Sequence, residues 1–289
     1  MYKILLTGAN GQLGREIRKR YADNSDVQLI NTDVVDMDGL IILDISKIDE
    51  VVELIKKEKP YAIINCAAHT NVDGCENDWD NAYKINAIGP RNLAIAASKV
   101  GAKLVHVSTD YVFEGNGIKP YTEFDTPNPV SAYGKTKLDG EKFVKEFADK
   151  YFIVRTAWLY GDGKNFVKTM LRLSETYDTI EVVCDQIGSP TSTKVLADII
   201  DSLLWSENYG TFHGTCEGVC SWAEFTEEIF RIAGKTTKVS YITSEEYANK
   251  HPQAARRPAY SVLDNYMLKL TNGYVAQDWK DAIKEYLVQ

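Results

Sequence analysis

The chain has 289 residues, 44% hydrophobic and 26% charged, a balance that suits a folded globular protein and excludes a disordered one. Asp and Glu number 41 against 33 Lys and Arg, a net charge of −8, so nucleic acid and anionic membranes are not expected partners. No apolar run is long enough to span a membrane and the opening residues lack a secretory signal's layout, so a cytoplasmic protein is expected.

"YKILLTG" reads as an apolar strand entering a glycine turn, and a helix follows from Gln12 to Tyr21. "VQLINTD" is a second strand and "LIILD" a short third. "DISKIDEVVELIKKEKP" is an amphipathic helix with Ser46 as its N-cap and Pro60 as its stop. "YAIINCAA" and "KLVHVSTD" are buried strands on either side of a helical segment from Asp80 to Val100. A helix carrying Tyr133 and Lys137 then leads into "YFIVRTAWLYG", which reads as one strand. Continuous apolar runs alternating with helices predict an α/β fold: a Rossmann-like doubly wound parallel sheet. After Tyr160 the rhythm loosens. A strand runs into the proline loop of "DQIGSPTS", the helix "STKVLADIIDSLLWS" follows, and a mixed tail holds "GTFHGT", "SWAEFTEEIFRIAG" and "KVSYIT". That part is expected to form a smaller mixed α/β C-terminal domain.

The five cysteines (Cys66, Cys75, Cys184, Cys216, Cys220) are odd in number and too scattered for a disulfide framework. His213, Cys216 and Cys220 match no common zinc spacing, and no metal site is assigned.

Two local patterns carry chemistry. "TGANGQLGRE" puts Gly8, Gly11 and Gly14 at a strand-to-helix junction, where free N–H groups and the positive end of the helix dipole face an anion. Gly8 allows the turn, Gly11 lets backbone approach a pyrophosphate, and Gly14 lets helix and sheet pack closely. A dinucleotide is the expected ligand. Asp33, ending the second strand, can accept from a ribose 2′-hydroxyl and repel a 2′-phosphate, which favours NADH while leaving NADPH allowed. Arg15 would instead meet a 2′-phosphate, and Asp44 and Ile45 border the adenine. The second pattern is Tyr133-x-x-x-Lys137, which stacks a phenol and an ammonium on one helix face. An ammonium beside a phenol lowers the phenol's pKa.

The glycine turn, "VSTDYVF" at a strand end and Tyr133-x-x-x-Lys137 together resemble the extended short-chain dehydrogenase/reductase superfamily. Within it the chain resembles the dTDP-4-dehydrorhamnose reductases. "GANGQLGRE", "NCAAHTNVDGCE", "VSTDYVFEG", "SAYGKTKLDGE", "RTAWLYG", "NFVKTM", "DQIGSPT" and "RRPAYSVLDN" match in this order along nearly the whole chain. The resemblance implies reduction of a 4-keto dTDP-sugar, with Thr109, Tyr133 and Lys137 catalytic. It implies cofactor contacts at Gly8, Asn10, Gly11, Gln12 and Leu13, at Asp33, Asp44 and Ile45, and at Ala67, Ala68, Thr70 and Asn86, with Tyr133 and Lys137 shared. Substrate contacts would fall on Thr109, Asp110, Tyr133, Trp158, Asn165, Lys168 and Arg257. Residues 1–157, with a returning segment at about 191–208, would form the NAD(P)-binding domain. Residues at about 158–190 and 209–289 would form the substrate-binding domain, and a homodimer is allowed. Thr109 is followed by Asp-Tyr rather than the Asp-Glu of the dehydratases, which counts against dehydration. Another nucleotide-sugar reductase, an epimerase, or a regulatory subunit of the methionine adenosyltransferase type stays open as an alternative.

Overall fold

The computed structural model describes residues 1–288. The chain opens with β1 (Tyr2–Thr7), α1 (Gln12–Arg20), β2 (Val27–Asp33), β3 (Ile41–Ile42) and α2 (Ile48–Glu58). β4 (Ala62–Asn65), α3 (Val72–Asn77), α4 (Trp79–Tyr83), a π-helical turn (Lys84–Ile88) and α5 (Gly89–Val100) follow. Next come β5 (Lys103–Thr109), a short 3₁₀ turn (Asp110–Val112), α6 (Ala132–Phe147), β6 (Tyr151–Thr156) and β7 (Leu159–Tyr160). The remainder is α7 (Phe166–Leu173), β8 (Thr179–Val183), β9 (Ile187–Gly188), β10 (Thr191–Ser192), α8 (Thr193–Leu204) and β11 (Gly210–His213). It closes with β12 (Cys220–Ser221), α9 (Trp222–Ile232), β13 (Lys238–Ile242), α10 (Ser244–Lys250), α11 (Tyr266–Asn272) and α12 (Trp279–Val288).

Seven strands form one parallel sheet in the order β11-β6-β5-β4-β1-β2-β3. The order in which the chain adds strands reverses between β1 and β4, which opens a crevice at their carboxyl ends. Alternation along the strands feeds two apolar layers. Ile4, Leu6, Ile64, Val105 and Val154 pack with Leu13 and Ile17 of α1 and Leu196 and Ile200 of α8. Leu5, Ile63, Leu104 and Ile153 face the other way, onto Val51 and Ile55 of α2, Leu93 of α5 and Val144 of α6. Each fully buried Leu or Ile contributes roughly 1.5–3 kcal/mol, so both layers are needed to hold the sheet. The smaller part pairs β8 with β13 and β10 with β7 in parallel, and β12 with β9 antiparallel, around an aromatic core of Phe166, Trp222, Phe225 and Trp279.

Four sequence expectations change. Ser46 is not the N-cap of α2: its N–H and hydroxyl both donate to Asp44 Oδ1, which closes a local turn, and Lys47 takes the cap position. The helix expected from Asp80 to Val100 is broken by the π turn around Asn86. "YFIVRTAWLYG" is two strands, because Trp158 sits at φ +49°, a left-handed conformation that no strand accommodates. The 208/209 boundary also shifts, since β11 pairs with β6 and so carries the returning segment to His213.

Candidate active site

The glycine turn follows β1 directly. Gly8 has φ +66°, and a Cβ there would lie 2.7 Å from Ala67 N; at Gly14 it would lie 2.2 Å from Gly8 O. Both positions therefore exclude any side chain. Gly11 is the N-cap of α1, with no side-chain cap and no acid in the first turn, so the leading N–H groups keep their capacity for an anion. Asp33, at the end of β2, accepts from Asn10 N–H at 2.9 Å and from Val34 N–H at 2.8 Å, which ties the glycine turn to the second strand. Gln12 opens α1, while the Leu13 side chain is core, so a ligand would meet its backbone alone.

The other expected cofactor residues gather on the same rim. Asp44 and Ile45 follow β3, and the buried Ile45 packs on Gly89 of α5, where a Cβ would come within 2.5 Å of its Cδ1. Ala67 and Ala68 follow β4 half-buried, and Thr70 is exposed. Asn86 joins them from the π turn: its side chain accepts from His69 N–H at 2.8 Å and donates to His69 O and Thr136 Oγ1. Beneath this rim the strands are tied sideways, Thr7 Oγ1 donating to Asn65 Oδ1 at 2.7 Å and Asn65 Nδ2 to His106 Nδ1 at 3.0 Å. Burial holds the His106 imidazolium well below its usual pKa, so the ring is neutral.

Arg15 bonds Asn10 Oδ1 and pairs with Asp162 at 3.0 Å beside the glycine turn. An elongated rim of glycines, uncapped N–H groups and a carboxylate beyond β2 fits a dinucleotide.

Thr109 ends β5, where its Oγ1 accepts from Tyr111 N–H and donates to Asp110 Oδ1 at 2.8 Å. α6 begins opposite, capped by Ser131, whose Oγ accepts from Gly134 N–H at 3.1 Å. A Cβ at Gly134 would lie 2.2 Å from Tyr111 O and one at Gly140 2.2 Å from Asn86 O, so these glycines let α6 lie against the 3₁₀ turn and the π turn. That approach brings Tyr133 beside Thr109 and edge-on to Tyr111 at 5.4 Å. Lys137, one turn on and 2% exposed, donates from Nζ to Val107 O at 2.7 Å.

The electrostatics depart from the sequence expectation. Burial first, and the Asp110 charge second, hold the Tyr133 phenol above its usual range. Burial lowers Lys137 to about 8, with Glu141 opposing that shift. Burial also pushes the Asp110 carboxyl up to about 6, against the hydrogen bond from Thr109 and the nearby Ser261 hydroxyl.

Of the expected substrate contacts, Asp110 is buried beside Thr109, and Trp158 lies two residues beyond β6 next to it in the sheet. Arg257 lies beside the Tyr111 phenol and 3.8 Å from Asp73, at the edge of a cavity of about 530 Å³ that Tyr247 and Gln186 also line. Asn165 and Lys168 are placed differently. Asn165 caps α7 and donates to Gly161 O, and Lys168 pairs with Asp162 at 3.2 Å, in a loop against the first turn of α1. No hydrogen bond joins either to Thr109 or Tyr133 among the described residues. His213 bonds Asp264 O through Nδ1, and no group of three metal-ligating side chains converges among the described residues.

Sequence reasoning missed Ser108, Glu141 and Arg155, a buried polar cluster directly behind Thr109 and Lys137. The available signal was an arginine inside the otherwise apolar "YFIVRTAW" and a glutamate one turn after Lys137.

A parallel Rossmann sheet, a glycine turn at its switch point, and a threonine facing Tyr-x-x-x-Lys define a short-chain dehydrogenase/reductase fold and site. The chain belongs to the family described as RmlD substrate binding domain, whose model matches residues 2–289. It is 40% identical to the spore coat polysaccharide biosynthesis protein SpsK of Bacillus subtilis (strain 168), over 99% of this chain and 97% of that one. The crystal structure of a dTDP-4-dehydrorhamnose reductase from Clostridium acetobutylicum ATCC 824 superposes with a TM-score of 0.94 at 56% identity, covering 99% of this chain and 98% of that one. A dTDP-4-dehydrorhamnose reductase from Bacillus anthracis str. Ames, solved in complex with NADP, gives 0.93 at 42% identity over 100% and 99% of the two chains.

Proposed function

We propose that this protein reduces the 4-keto group of dTDP-4-dehydro-L-rhamnose to give dTDP-L-rhamnose, in the supply of sugar for polysaccharide synthesis. It is an NAD(P)H-dependent oxidoreductase. The observation that carries the reading is the meeting of Thr109, Tyr133 and Lys137 at the carboxyl end of β5, beside the glycine rim. Family membership and the reductase names of full-length relatives support it.

When bound, the reduced nicotinamide supplies hydride to the carbonyl carbon. The chain's own part is to hold the carbonyl and deliver a proton to its oxygen. Tyr133 is the donor, and a phenol kept protonated by burial is loaded for that task. Thr109 orients the same oxygen with a second donor. Lys137, buried one turn on from Tyr133, would favour the phenolate left after transfer by its positive charge and would hold the nicotinamide ribose. Gly8, Asn10, Gly11, Gln12 and Leu13 offer backbone to the pyrophosphate, with Ala67, Ala68, Thr70 and Asn86 along the crevice. Asp110 and Trp158 border the sugar, and Arg257 suits the substrate's diphosphate because its planar fork gives paired hydrogen bonds. Asn165 and Lys168 would meet substrate only by giving up their present partners.

Asp33 supports NADH as the favoured cofactor, with NADPH accepted. Both carboxylate oxygens are oriented by backbone N–H groups at the end of β2, where an adenosine ribose would lie. A dianionic sugar nucleotide does not cross membranes unaided, which supports a cytoplasmic site of action; a homodimer is compatible with this reading.

The test is oxidation of NADH and NADPH, followed by loss of reduced-nicotinamide absorbance, with dTDP-4-dehydro-L-rhamnose generated in place. Substrate-dependent oxidation with dTDP-L-rhamnose as product is the expected result. Cofactor binding without oxidation would sink the assignment.

A further inference from the structure

The cavity beside Arg257, about 530 Å³ in volume, carries a polar relay that the reduction step does not use. Ser244, the first residue of α10, gives Asp185 Oδ1 both its N–H, at 2.9 Å, and its hydroxyl proton, at 2.7 Å. A hydroxyl has one proton, so Ser244 Oγ is left able only to accept. What it accepts is Gln186 Nε2 at 3.0 Å, which fixes the end of that amide that carries the hydrogens. Gln186 Oε1 is therefore an acceptor turned away from Ser244. It has no partner among the described residues and is open to the cavity that Gln186 lines, although the residue as a whole is only 8% exposed.

The next residue ties this cavity to the active site. Ile187 N–H donates to Ala259 O at 2.8 Å, Ile187 O accepts from Ser261 N–H at 2.7 Å, and the Ser261 hydroxyl bonds Asp110. Arg257 stands two residues before Ala259 on the same segment, which Asp73 of α3 pins by accepting from Ala255 N–H at 2.8 Å. Tyr247 lines the cavity from α10, its ring tilted on His251 with centroids 4.5 Å apart. Moving out from Thr109, the chain thus presents Asp110, then Arg257, then an aromatic ring with a fixed acceptor. A nucleoside diphosphate sugar has its parts in the same order: sugar, diphosphate, base.

We propose that Gln186 reads the pyrimidine of the substrate: Oε1 accepts the N3–H of thymine or uracil, and the Asp185–Ser244 relay keeps the amide from turning to suit cytosine. This rests on the reading of the substrate as a nucleoside diphosphate sugar. Thymine and uracil carry a proton on N3, whereas N3 of cytosine is a lone pair and would meet Oε1 acceptor against acceptor. A free amide would rotate and donate to cytosine instead. Here an inverted Gln186 would set Oε1 against a Ser244 Oγ whose proton is already on Asp185. Tyr247 offers an aromatic face that either kind of pyrimidine can cover, so it adds affinity without discrimination.

The test is calorimetric titration of the full chain with dTDP, dUDP and dCDP. The first two are expected to bind within a few-fold of each other, and dCDP roughly tenfold to a hundredfold more weakly, because a buried acceptor is left facing another. Gln186→Ala is expected to bring the dTDP and dCDP affinities together by weakening dTDP. It should also raise KM for dTDP-4-dehydro-L-rhamnose more than it lowers kcat, with the dissociation constant for NADH unchanged. Ser244→Ala, which releases the amide, is expected to recover part of the dCDP affinity. Equal affinity of the unaltered chain for dTDP and dCDP overturns the proposal, as does an undiminished preference in either variant. The ligand series on the unaltered chain needs no substitution, so it decides the matter even where a variant fails to fold. A preference for dTDP without turnover of the dTDP-sugar would support this proposal and sink the reductase reading; turnover without a base preference would do the reverse.

Discussion

Glu141 grips Arg155 with both carboxylate oxygens, Oε1 2.9 Å from Nε and Oε2 2.7 Å from Nη2, and neither side chain is more than 2% exposed. Ser108 Oγ donates to the same Oε1 at 2.6 Å, and the Arg155 guanidinium lies over the Phe113 ring at 5.1 Å. With Ser108 the pair joins α6 to β5 and β6 immediately behind Thr109 and Lys137, so the two elements that carry those residues share one buried anchor.

Removing one partner leaves the other as a buried charge. Glu141→Ala and Arg155→Ala should each destabilise the fold by about 3–5 kcal/mol, measured by urea unfolding. The double replacement Glu141→Gln with Arg155→Met should cost much less than the two single losses added together. Additive losses would mean the pair is not the anchor.

Tyr133→Phe removes the proton donor and little else. Turnover should fall by about 10²–10⁴-fold while NADH still binds, as titration of nicotinamide fluorescence would read. Near-normal turnover would dismiss Tyr133 as the acid.

Lys137 is lowered to about 8 by burial, so its ammonium is lost as pH rises through that value. The rate of reduction should fall on the alkaline side of about 8, and the residual activity of Lys137→Met should lack that limb. Stability runs the other way for this residue. Between about 8 and its ordinary 10.5 the unfolded chain binds more protons, so the lysine's contribution to stability rises with pH across that window.

Asp110 gives a separate acid-side signature. Its folded pKa of about 6 stands above the ordinary 3.8, so stability present below 3.8 is lost as pH rises through about 6. Asp110→Asn does not titrate. Its melting temperature relative to the unaltered protein should therefore climb between about pH 4 and 6, and a constant difference would mean that Asp110 titrates normally.

Asp33→Ala should narrow any preference for NADH over NADPH, read as the ratio of kcat/KM values. It should also raise KM for both cofactors, because Asn10 N–H loses the carboxylate that ties the glycine turn to β2. An unchanged ratio would place the ribose elsewhere.

Local order in the chain was sufficient for the Rossmann half. The glycine turn, the apolar strands and Tyr133-x-x-x-Lys137 are patterns of neighbouring residues, and hydrophobic periodicity and backbone permissiveness act over those short spans. Gly134 and Gly140 stand in that same stretch, yet their purpose shows only when α6 meets Tyr111 O and Asn86 O. The tertiary structure alone decided the rest. It joined Glu141 to Arg155 across α6 and β6, turned Trp158 left-handed onto Trp222, and drew β11 into the main sheet. It also reversed the expected sign at Tyr133, because burial and Asp110 outweigh an ammonium that bonds to Val107 instead. These are contacts between residues far apart in sequence or effects of desolvation, and neither leaves a periodic trace in the chain.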